Sequence, residues 1–253
     1  MVDDEKQPFL SHLEELRKRL ISCAIAAGAG FVVSYIFSER LFRILIHPLK
    51  SQLPEGDRLI FTGLPEMFLT YIKVALVTGI LLSSPYIFYQ LWMFVAPGLY
   101  QNEKRYVVPF VVSSSILFVG GAIFGYFVVF PFGFRFFLGF ANDYIQALPS
   151  VKQYFSFSVK LLFAFGMVFE LPVVVFFLTK IGLVTPELLK RQRKYAILLI
   201  FVMAAILTPP DVATQVMMAG PLIVLYEISI YIARIAKRKR SKEEETSEEG
   251  VDG

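Results

Sequence analysis

The chain has a single cysteine, Cys23, among its 253 residues. One thiol builds no disulfide framework, and its place inside an apolar run marks it as a packing residue. Histidine is nearly as scarce. His12 and His47 stand alone, with no spacing that would ligate a metal. No glycine-rich phosphate loop occurs, and no nucleophile is paired with a base in the apolar stretches. These absences exclude metal-dependent, nucleotide-dependent and acyl-transfer chemistries, so no catalytic residue, cofactor or metal is assigned. Internal repeats are missing as well, which weighs against the paired-repeat plan of many transporters.

What the chain has is hydrocarbon. Its hydrophobic fraction is 56%, with 26 phenylalanines, against about 45–50% apolar residues in a soluble domain. A helix crossing a bilayer needs about 20 mainly apolar residues. Segments at 20–37, 68–95, 107–130, 155–179, 195–207 and 212–235 meet or approach that length. The expected fold is an all-α membrane protein of six transmembrane helices forming one domain over 1–236. The residues Arg17–Arg19 followed by ISCAIAAGAGFVV look like a signal peptide. The run continues to Phe37 and further spans come after it, so an uncleaved first span is expected.

Six crossings return both termini to one side. Of the 25 lysines and arginines, 17 fall on the face shared by the termini and 8 on the other. The positive-inside rule makes the richer face cytoplasmic. The opposite loop, 38–67, carries Leu41, Ile44 and Leu45 at helical spacing, as in a helix lying on the membrane surface. Residues 237–253 are basic, then acidic, and lack an apolar stripe, so disorder is expected there. The basic run in that tail reads as topology and anionic-lipid contact, not as nucleic-acid binding.

Two features bend this plan. Pro85, Pro109, Pro131, Pro172 and Pro221 lie within or beside spans, and each removes a backbone donor, so a curved bundle is expected. The fifth span, Tyr195 to Leu207, is about 20 Å long at 1.5 Å per residue, short of a core near 30 Å. Such mismatch is met by thinning or by assembly.

Acids on a basic face are the candidate chemistry. Ser11-His12-Leu13-Glu14 matches a capping box, which would spend Glu14 on the Ser11 amide and leave Glu15 projecting. Glu14–Lys18 and Glu15–Arg19 also have i,i+4 spacing, so a plain solvated pair is the competing reading of Glu15. Glu103 follows Asn102 in the next loop on that face, where it could merely favour a helix start. Glu170 sits mid-span in FAFGMVFELPVVVFF, where a charge is costly and a polar site is expected. Glu227, nearer the cytoplasmic end of the sixth span, would snorkel or pair with Arg234. Thr208, Asp211, Thr214 and Gln215 gather at the turn between the last spans, either as turn chemistry or as a docking spot for a partner helix.

The stretches SHLEELRKRL, SPYIFYQLWMFVAPGLYQNEKR, FGYFVVFPFGFRFF, FGMVFELPVVVFFL and LTPPDVATQ resemble the TatC family, the large membrane component of the twin-arginine protein translocase. The resemblance runs from about Gln7 to Arg234. It implies a non-enzymatic receptor for twin-arginine signal peptides of folded cargo. Glu15 and Glu103 would recognise the arginine pair, with Phe94, Leu99, Tyr100, Arg17 and Arg19 on the adjoining surface. Glu170 would contact polar groups of single-span TatA or TatB partners. Thr208, Asp211 and Gln215 would dock those partners, in a complex holding several copies of this chain. The competing class is a proton-coupled transporter using Glu170 as relay, which would need a second buried acid or an internal repeat.

Overall fold

The computed structural model describes residues 6–54, 59–95, 107–140, 147–208 and 212–249, and these are helical almost throughout. α1 runs Lys6–Ile36, α2 Ser38–Lys50, α3 Glu66–Val95 and α4 Val107–Phe124. A π-turn, Gly125–Val129, leads into α5, Phe130–Leu138. Then come α6 Val151–Phe169, α7 Leu171–Lys180, α8 Pro186–Arg191, α9 Arg193–Leu207 and α10 Val212–Glu249.

Five stretches have the length and apolarity to cross a membrane: His12–Ile36, Glu66–Val95, Val107–Leu138, Val151–Lys180 and Val212–Arg238. The remaining helix, α9, has 15 residues, about 22 Å at 1.5 Å per residue, so the fifth crossing is short, as its sequence implies. The third span is longer than hydropathy drew it, because Pro131 does not end it, and the fourth starts earlier, at Val151. Pro131 and Pro172 stand in the first turns of α5 and α7, where the missing N–H costs least. A proline ring clashes with the carbonyl four residues back, and the turn before each proline gives way. Before Pro131 it widens into the π-turn, where the Phe130 amide bonds to the Gly125 carbonyl. Before Pro172 it tightens, and the Glu170 amide bonds to the Met167 carbonyl at 3.2 Å.

Helix pairs approach closely at glycines, the usual means of association in lipid. A Cβ on Gly79 of α3 would lie 2.6 Å from the Phe31 nitrogen of α1, and one on Gly121 of α4 would lie 2.5 Å from the Phe165 carbonyl oxygen of α6. Ser83 adds a hydroxyl bond to the Ala26 carbonyl across the first of these crossings, at 2.8 Å. Two apolar clusters result. The larger holds Phe130, Phe134, Tyr154, Phe155 and Phe165 towards the α2 end. The smaller stacks Trp92 on Phe110, centroids 4.5 Å apart, with Phe177 edge-on.

Three sequence expectations are corrected here. α1 runs straight through Ser11, so no capping box forms at Ser11–Glu14; a helix interior has no orphan amide to cap. α2 is not simply laid on lipid: Leu45 and Leu49 are buried against the protein. Pro48 deprives the Ile44 carbonyl of its helical donor, and the Tyr126 hydroxyl takes that place at 2.7 Å. Tyr154 donates to the neighbouring Leu45 carbonyl at 2.5 Å. Finally, α10 continues to Glu249, where disorder was expected. Lys, Arg and Glu are good helix formers, and a segment unable to build a core can still extend a helix already nucleated by its span.

The loops at the α2 end converge on one acid, Glu66, at the start of α3. Its Oε2 accepts from the amides of Thr62 at 3.0 Å and Gly63 at 3.2 Å. Its Oε1 accepts from the Lys152 amide at 2.7 Å and the Ser150 hydroxyl at 3.0 Å. Beside it, Ile60 and Ser150 form a short parallel bridge. One buried carboxylate thereby joins the α2–α3 connection to the start of α6.

Candidate functional site

At the other end, where α1 begins and α3 finishes, the predicted recognition residues partly assemble. Glu15 is not a projecting, free carboxylate. Its Oε1 accepts from Arg19, through Nε at 2.9 Å and through Nη2. Arg19 also donates from Nη1 to Gln90 Oε1 at 3.2 Å, and Gln90 in turn donates to the Tyr86 hydroxyl at 2.7 Å. The i,i+4 spacing on α1 thus carries a contact across to α3. Phe94 stacks on His12, centroids 4.4 Å apart and planes 18° from parallel. Both rings therefore lie at the same α1–α3 seam. Arg17 and Glu14 are exposed. Leu99, Tyr100 and Glu103 lie outside the described residues, in the connection from Val95 to Val107.

Glu170 occupies the junction of α6 and α7, 7% exposed. Its Oε1 has no hydrogen-bond partner among the described residues. It stands in a groove of about 500 Å³ that Ser84, Trp92, Ser114, Phe118 and Met167 also line. The Trp92 indole N–H donates to the Ser114 hydroxyl at 3.3 Å. A buried carboxyl with an open oxygen in an apolar groove is a receptor for a hydrogen-bond donor. The groove's lining holds no second acid.

At the α9–α10 turn, Thr208 and Thr214 are buried and share a small apolar pocket with Met217, Met218 and Pro221. The Thr208 hydroxyl donates to the Ala204 carbonyl at 2.8 Å, and the Gln215 amide to the Phe201 carbonyl at 2.9 Å. The turn therefore uses part of its polarity internally. Asp211 lies outside the described residues. Glu227 pairs not with Arg234, on its own helix, but with Arg193 at the start of α9, at 2.6 Å. That contact ties the basic end of α9 to α10. Sequence reasoning missed Arg19–Gln90 and Arg193–Glu227 because both are long-range. The charge pattern alone offered nearer partners.

Fold and site together define a multi-pass helical membrane protein with a charged seam at one end and an acid-bearing apolar groove. The family model described as Sec-independent protein translocase protein (TatC) matches residues 11–221. A protein of that description from Desulforapulum autotrophicum is 56% identical over 250 residues, covering 99% of this chain and 93% of its own. Another from Escherichia coli K12 is 41% identical, covering 96% and 94%. A solved structure called the twin arginine translocase receptor TatC superposes with a TM-score of 0.80 at 44% identity, covering 89% of this chain and 99% of that one. This chain belongs to the TatC family, and is a non-enzymatic receptor component of the twin-arginine translocase in the inner membrane.

Proposed function

We propose that the end bearing Glu15 is cytoplasmic and receives the paired arginines of signal peptides on folded cargo. The observation that carries this is the Glu15–Arg19 contact: the carboxylate already accepts a guanidinium, in a geometry fixed through Gln90 to α3. A planar guanidinium fork suits a carboxylate better than the point charge of lysine. Glu103, in the connection after α3 that also carries Leu99 and Tyr100, supplies the second acceptor. Arg17 and Arg19 position the acids, and Phe94 offers an aromatic face to the peptide.

In the same proposal, Glu170 accepts a hydrogen bond from a polar group on a TatA- or TatB-type helix. α9 and α10 dock such a helix near Gln215. Several copies assemble, because one chain of this size cannot enclose a folded cargo.

Binding of a twin-arginine signal peptide to the purified protein, against a twin-lysine control, tests the reading. A charge-assisted pair is worth about 1.5–3 kcal/mol, so Glu15→Ala and Glu103→Ala are each expected to weaken binding at least about tenfold. Equal binding of the two peptides, or unchanged affinity in both variants, overturns it.

A further inference from the structure

Among the lysines of the spans, two stand apart from the proposed recognition end. Lys73 lies in α3 and Lys160 in α6, both towards the α2 end of the bundle. Lys73 donates from Nζ to the Ser156 hydroxyl at 3.2 Å. Ser156 and Lys160 are one turn apart on α6, so the two ammonium groups share one patch. Lys160 is exposed and has no hydrogen bond or ion pair among the described residues. An intramembrane cation normally finds an opposing charge or a wet cavity.

The groove lies directly below this patch. Ile80 of its lining is seven residues beyond Lys73, and Met167 seven beyond Lys160, which places each pair on one helix face. From Lys160 to Glu170 is about 15 Å along the helix, matching half of a hydrocarbon core of about 30 Å. The groove holds about 500 Å³ and is walled mostly by Ile, Leu, Val and Phe. Walls of this kind suit an acyl chain.

We propose that this is a binding site for an anionic phospholipid of the leaflet on the α2 side. Its phosphate sits between Lys73 and Lys160, and one acyl chain fills the groove between Phe163 and Met167 down to the level of Glu170. Charge complementarity selects an anionic headgroup, and the groove's apolar walls accept its acyl chain. The lipid closes the groove until a partner displaces it.

The test uses the full chain in nanodiscs of phosphatidylcholine with added phosphatidylglycerol, and counts retained lipids by native mass spectrometry. Each lysine near a lipid headgroup is expected to contribute about fivefold. Lys160→Gln should therefore weaken phosphatidylglycerol retention by about that factor, and the double variant K73Q/K160Q by considerably more. The variant K73R/K160R should retain it, with unchanged unfolding temperature as the folding control. A photoactivatable acyl chain on phosphatidylglycerol should label the peptide holding Phe163 and Met167. Wild-type retention by the double variant, or labelling confined to other helices, would each overturn the site.

Discussion

At the scale of single residues, position decides what a side chain is worth. Glu66 accepts bonds from two loops and from the start of α6, so removing its carboxylate orphans several donors at once. Glu66→Ala should unfold at a lower temperature in detergent than Glu66→Gln, which keeps one acceptor oxygen. Equal transitions would show that the loops are held elsewhere. Gly79 and Gly28 make a second contrast. An added Cβ meets the Phe31 backbone in the first case and nothing within 4 Å in the second. Gly79→Ala is expected to cost about 1–3 kcal/mol through overpacking. Gly28→Ala should be neutral or stabilising by up to about 1 kcal/mol. Denaturant unfolding of the two variants checks both.

Among elements, α2 shows how one fault in a helix is repaired by another. The Tyr126 hydroxyl fills the place that Pro48 leaves empty at the Ile44 carbonyl. Tyr126→Phe should destabilise by about 0.5–1.5 kcal/mol. Pro48→Ala supplies the missing amide, so the loss from Tyr126→Phe should shrink in its presence, and a double-mutant cycle measures the coupling. α8 offers a pH-dependent case outside the spans. The backbone amide of Glu187 itself, and then the Lys237 ammonium at 3.1 Å, hold the Glu187 carboxyl below its ordinary range. A depressed carboxyl stabilises above its unfolded pKa, and the effect is lost as pH falls through the folded value. Amide exchange in α8 should therefore rise on acidification and lose that dependence in Glu187→Gln. The spans were legible in the sequence because apolarity and length suffice to mark them. The π-turn was not: proline signals a disturbance of the helix, while packing decides whether the chain breaks, tightens or widens. Glu66 was equally hidden, since an acid at a helix start has a sufficient local explanation. At the α1–α3 seam the Glu15–Arg19 spacing was readable, whereas Gln90 and the His12–Phe94 stack required α3 to be placed beside α1.

For the whole molecule, burial is unevenly shared. Only 11% of the first span's most apolar window is buried, against 50% of the fourth, so α1 is a peripheral strut and the α6–α7 rod is the axle. α9, at about 22 Å, leaves the bilayer around it thin or covered by a neighbour. A depth-sensitive probe at Ile206 should report more water than one placed equally far from the end of α3, and added partner helix should reverse this. The π-turn at Gly125–Val129 also sets a reading frame for everything beyond it. One extra residue in a turn rotates the helix beyond it by about 100°. With that slip, Phe130 and Phe134 face inward, at 0% and 6% exposure, while Phe132 stays outside at 59%. Straightening the π-turn into α-helix with the same residues would dial α5 round by that angle and turn its greasy side to the wrong neighbours. Substitution can therefore reshape the two halves of this span separately, but the distance between them, counted in residues, is locked like the phase of a screw thread.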